Sequence, residues 1–132
     1  MKKSTKAWLD FAHKDLEAAK HLLDNEYVSN VVLFHSQQCI EKCLKALLEE
    51  NNIPVPHIHS IMKLHSLIIE KVEISLSLDE DVLDLVDSVY IDTRYPSGLG
   101  LLPSGLPTRD DAQELFEIAE KVYEEIAERL SG

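Results

Sequence analysis

The chain is poor in the residues that staple small proteins or attract polyanions. Its 132 residues hold two cysteines and four glycines, and 13 lysines and arginines face 24 aspartates and glutamates. Cys39 and Cys43 stand about one helical turn apart, a spacing badly suited to a mutual disulfide, so reduced thiols and a cytoplasmic setting are expected. The formal net charge of −11 excludes a general DNA- or RNA-coating surface, because affinity for phosphates comes from Lys and Arg. No apolar run reaches the roughly 18 residues of a membrane span. The opening MKKSTKAW leads straight into an amphipathic pattern in place of a signal segment. A chain of this length fits one domain, residues 1–132, that buries roughly two thirds of its unfolded surface with neither metal nor cofactor.

What is present is helical periodicity, organised around Val28–Glu50, a long apolar stretch without Pro or Gly. At 100° per residue, Val31, Val32, His35, Cys39, Cys43 and Ala46 share one face, and Leu33, Ile40, Leu44, Leu47 and Leu48 share the next. Phe34, Gln38, Glu41, Lys42 and Lys45 occupy the narrow remaining sector. A helix apolar over most of its girth must be covered from several directions, by the other helices and by a second subunit.

Before it, a first helix is expected from Thr5 to Asp24, capped by Ser4 or Thr5, with an apolar stripe of Trp8, Phe11, Ala12, Ala19, Leu22 and Leu23. Asp15 falls within that stripe and requires a cationic or hydrogen-bonding partner. The turn at residues 25–27 is short enough to make the first two helices antiparallel neighbours. After Glu50, Pro54 and Pro56 force extended backbone. A third helix should run from Ser60 to Glu73 on Ile61, Leu64, Ile68 and Val72, with Ser60 as cap. A fourth should start at Asp79, bury Val82, Leu85, Val86, Val89 and Thr93, and stop near Arg94. Pro96–Pro107, with three Pro and three Gly in twelve residues, is an irregular and leucine-rich loop. Thr108 and Asp111 resemble a capping box that opens the last helix, with its stripe at Ala112, Leu115, Phe116, Ala119, Val122, Tyr123, Ile126 and Leu130. The predicted architecture is all-α, an up-and-down bundle of four to five helices.

In that order, four stretches resemble the HEPN domain family. They are Trp8 with Lys14-Asp15-Leu16-Glu17-Ala18-Ala19, then Gln37-Gln38-Cys39-Ile40-Glu41-Lys42-Cys43-Leu44-Lys45-Ala46-Leu47, then His59-Ser60-Ile61 with Leu64, and Tyr90-Ile91-Asp92-Thr93-Arg94-Tyr95-Pro96. The resemblance implies a HEPN-like bundle, a homodimer, and a nucleotidyltransferase of the MNT type as partner. Some members of the family are ribonuclease toxins in which an Arg is followed by a His after four to six residues. Arg94 matches the Arg, whereas positions 99–101 read Leu-Gly-Leu. Leucine cannot exchange protons, so the departure points to a non-catalytic or weakly catalytic module.

Three functions from different classes follow. The first is a homodimeric partner module of a nucleotidyltransferase, as in toxin–antitoxin systems. The second is a metal-independent ribonuclease using Arg94. The third is a nucleotide-binding sensor. For the last two, Glu41, Lys42, Lys45, Tyr90, Asp92 and Tyr95 would wall a cleft for RNA or a nucleotide beside Arg94, with Asp15 and Gln38 in a structural polar network. The competing reading has Arg94 ending its helix and pairing with Asp92, Asp87 or Glu41. His35, Cys39 and Cys43 recur every four residues, but donors spread over three turns do not close a tetrahedron around a metal. His57 and His59 share one side of an extended segment without a metal-ligand motif, so loop packing is their expected duty. The glutamates of the last helix lie opposite its apolar stripe and are read as solvated.

Overall fold

The computed structural model describes residues 1–72, 74–94 and 107–131. It contains α1 (Lys3–Leu22), a 3-10 turn (Glu26–Val28), α2 (Ser29–Glu50), α3 (Ile61–Val72), α4 (Glu80–Arg94) and α5 (Arg109–Ser131). No strand occurs among the described residues, and the all-α bundle expected from the periodicity is the fold. The loop at 96–106 lies outside the described residues.

α2 is the axis. It packs against α1, α3, α4 and α5, while α1 also meets α5 and α3 meets α4. Both apolar faces of its sequence are used. Leu33, Ile40, Leu44, Leu47 and Leu48 are buried on one side and Val32, Cys39, Cys43 and Ala46 on the other. Val31 and His35, expected on the second face, are only half-buried. Burial first, then hydrogen bonding to Cys39, pushes the Cys43 thiol well above its ordinary range, so it stays protonated and serves as packing.

α1 departs from expectation in two ways. It starts at Lys3, earlier than Thr5, and Lys2 at the cap position makes no capping hydrogen bond with its side chain. Thr5 is instead buried, and its hydroxyl donates to Glu50 Oε1 at 3.0 Å beside the Lys2 amide, also 3.0 Å away. These two donors hold the Glu50 carboxyl below the usual range and tie the start of α1 to the end of α2. The stripe also rotates. Leu9 and Leu16 enter the core with Ala12 and Ala19, whereas Phe11 remains 55% exposed. The reason is that α1 packs on α5 as well as α2, which swings its buried arc away from Phe11.

The remaining termini follow local chemistry. α2 ends with Asn52 at φ 60°, a left-handed position that Asn tolerates. The Asn51, Asn52 and Ile53 amides return to carbonyls of the last turn. Ser60 Oγ accepts from the Lys63 amide at 3.2 Å, and Asp79 accepts from the Val82 amide at 2.9 Å. Thr108 and Asp111 exchange backbone-to-side-chain bonds of 3.0 and 3.1 Å, a complete capping box. On α4, Leu83 joins Val86 and Val89 in the core while Val82 and Leu85 are half-buried. The Thr93 side chain lies outside the described residues.

Candidate functional site

The polar sector of α2 is more buried than a solvated edge would be. Gln38 is 9% exposed, Glu41 3% and Lys45 6%. Charges this deep require partners, and the fold supplies them in two separate clusters.

The first cluster centres on Asp15 of α1. It accepts from Lys42 Nζ at 2.5 Å and meets His35 Nδ1 at 2.7 Å, so the carboxylate inside the α1 stripe has both a cation and an imidazole. The edge of Phe34 lies against His35, and Lys14 and Lys42 stand 5.3 and 6.0 Å from the Phe11 ring centroid.

The second cluster centres on Glu41. Lys45, one turn further along α2, donates to Oε2 at 3.1 Å and lies 5.7 Å from the Trp8 ring centroid. His59 Nδ1 approaches the two Glu41 oxygens at 3.2 and 3.4 Å, and its side chain is half exposed. In the neutral imidazole, an Nδ1–H donated to a carboxylate leaves Nε2 as the basic nitrogen. Gln38 donates to Gln37 Oε1 at 2.7 Å, while the buried Gln37 Nε2 has no partner among the described residues.

The site expected from sequence is therefore divided. Lys42 turns to Asp15 and Lys45 to Glu41, so the two lysines belong to different carboxylates. The side chains of Tyr90, Asp92 and Arg94, and all of Tyr95, lie outside the described residues. His59, expected to pack within its loop, instead enters the Glu41 cluster. No local signal marks it, because its partner lies 18 positions away on another element, and His57, two residues earlier, is exposed. Of the three residues of α2 considered as metal ligands, His35 faces Asp15 and the two thiols are buried.

α4 fixes the position of the second cluster. Asp87 reaches across to the start of α3, where Ser60 Oγ donates to it at 2.8 Å and the Ile61 and Met62 amides at 2.6 and 3.3 Å. The short connection between α3 and α4 makes them antiparallel. Position 94 lies seven residues beyond Asp87, on the same helical face and about 10 Å further along the axis.

The five-helix architecture around a buried, polar-edged α2 defines a class of small helical domains. The sequence model of the HEPN domain matches residues 5–130, and the chain belongs to this family. It is 34% identical over 137 residues to a protein of Methanocaldococcus jannaschii named "Putative toxin MJ1304", across 97% of this chain and 89% of the relative. Among solved structures, it is similar to TT1696 from Thermus thermophilus, with a TM-score of 0.72, 27% identity, and coverage of 96% of this chain and 98% of the other. It is also similar to ST0689, described as an archaeal HEPN homologue, with a TM-score of 0.67, 25% identity and 98% coverage of both chains. No helix of the described residues is long and apolar enough to cross a membrane.

Proposed function

We propose that this chain is the HEPN half of a toxin–antitoxin-like pair, a homodimer that binds an MNT-type nucleotidyltransferase and has little or no catalysis of its own. The observation that carries the reading is the likeness to a protein named as a toxin along almost the whole of both chains, joined to the Leu-Gly-Leu at positions 99–101. The half-exposed aromatic Phe11, flanked by lysines on an otherwise acidic molecule, supports an association surface. The test is light scattering at micromolar concentration together with pull-down of a co-expressed MNT-type nucleotidyltransferase. A mass of twice 15.0 kDa and a retained partner support the reading; a monomer that retains no nucleotidyltransferase removes it.

A second reading, a metal-independent ribonuclease using Arg94, is favoured by the Glu41 cluster. It groups a buried carboxylate, a lysine and a half-exposed imidazole. Cleavage of labelled single-stranded RNAs and tRNAs in EDTA, with Arg94→Ala as the control for contaminating nuclease, separates the two.

A further inference from the structure

α1 turns its buried arc toward α2 and α5, which leaves the face centred on Phe11 looking outward. At 100° per residue that face runs through Lys3, Ala7, Phe11, Lys14 and Ala18. Lys3, Ala7 and Lys14 are exposed, Ala18 is half-buried, and the Phe11 ring is 55% open. Both charged groups in the row are lysines, and Lys42 of α2 adds a third cation 6.0 Å from the ring centroid, on a molecule whose net charge is −11. The two lysines at the ring differ in freedom. Lys42 is held by the buried Asp15 and fixes the inner edge of the face. Lys14 lies 5.3 Å from the ring centroid with its side chain 69% exposed, and its pair with Asp10, at 3.4 Å, is open to solvent. An exposed pair contributes little, so exchanging Asp10 for a carboxylate from outside costs Lys14 little.

We propose that this face is the dock for the nucleotidyltransferase partner, occupied by an amphipathic helix of that protein whose apolar side covers Phe11 and whose carboxylates reach Lys14 and Lys3. The inference rests on the partner-module reading and names the surface that reading uses. Charge selects this occupant over two others. A second copy would set the same lysines against each other across a two-fold axis, so dimerisation belongs to another face. RNA would answer the lysines, yet beyond this face it meets the acid excess of the whole molecule. A short acidic helix covers the basic face and extends no further. Phe11 is then the anchor, losing its water on contact, while Lys14 supplies register and a salt-sensitive attraction.

The experiment co-expresses an MNT-type nucleotidyltransferase with the tagged full chain as wild type, Phe11→Ser, Lys14→Glu and Lys20→Glu. It reads partner retention, mass by light scattering, melting temperature, and anisotropy of a labelled single-stranded RNA. Lys20 is exposed on the opposite side of α1 and controls for the change in net charge. Expected is retention by the wild type that weakens as NaCl rises from about 0.1 M to about 0.5 M. Phe11→Ser and Lys14→Glu should each lose about tenfold or more, and Lys20→Glu should stay within about threefold, all with the wild-type mass. Should Phe11→Ser melt below the assay temperature, Lys14→Glu decides. Retention by Phe11→Ser and Lys14→Glu within about threefold of wild type overturns the dock and leaves the partner reading standing. An equal loss in Lys20→Glu overturns it as well, because the effect is then one of net charge, and so does a fall in mass in Phe11→Ser, which makes the face a contact between copies. RNA binding that Lys14→Glu abolishes while the nucleotidyltransferase is retained assigns the face to nucleic acid, against the proposal. A wild type that retains no nucleotidyltransferase removes the partner reading and this inference with it.

Discussion

Asp15 shows how one residue binds two extensively packed helices together. It is buried on α1, and both of its partners, His35 and Lys42, come from α2. Removing the carboxylate would strand a lysine that is itself largely covered. Asp15→Ala should therefore cost about 2 to 4 kcal/mol in urea unfolding, more than Lys14→Ala, which breaks an exposed pair with Asp10 and an exposed contact with the Phe11 ring. His65 makes the opposite case, an ionisable group whose buried nitrogen has no partner among the described residues. Burial lowers its pKa in the folded state, whereas the unfolded chain takes up the proton at about the ordinary 6.5. Between those values the unfolded state binds more protons, so the contribution of His65 is complete above the unfolded value and is lost as pH falls through the folded one. His65→Leu should accordingly lose less stability than wild type when pH is lowered from about 7 to 5, as read by denaturant titration at each pH.

At the scale of the elements, the N-termini of α3, α4 and α5 are held by two kinds of cap. Ser60, Asp79 and Thr108 with Asp111 act within a few residues of themselves. Asp87 instead caps α3 from another helix with three bonds, placing negative charge at a helix N-terminus. Asp87→Ala should cost about 2 to 3 kcal/mol, against about 1 kcal/mol for Thr108→Ala, when the two are compared by thermal and urea unfolding. The distinction also explains what the sequence could reveal. Local caps, helix order and the apolar faces of α2 follow from spacing, because donor and acceptor lie on one element. Asp87 on Ser60, and His59 on Glu41, join residues 27 and 18 positions apart, and nothing in periodicity selects such pairs. The placement of Phe11 outside and Leu9 inside has a related cause. Trp8, Phe11 and Ala12 satisfy the helical period as well as Leu9, Ala12 and Leu16 do, and the choice is made by where α5 packs.

For the whole molecule, the position of α2 predicts how the bundle comes apart. Every other helix rests on it, so Leu44, fully buried at its centre, belongs to the packing of the entire fold. Leu44→Ala should cost about 3 to 4 kcal/mol and lower the protection of all five helices together. α3 is different: it is twelve residues long, buries Ile61, Leu64 and Ile68, and packs mainly on α2 and α4. A three-turn helix has too little intrinsic stability to persist without its packing and cap. Native-state hydrogen exchange should find α3 opening at lower free energy than α1 and α2. Asp87→Ala should lower that opening energy while leaving amides near Leu44 changed no more than global stability changes. Because residues 60–62 carry the main chain beside His59, the same opening would remove the imidazole from Glu41. If α3 and α2 instead exchanged with one common free energy in both proteins, the Asp87 contact would be part of global unfolding and the histidine would be as firmly held as the core.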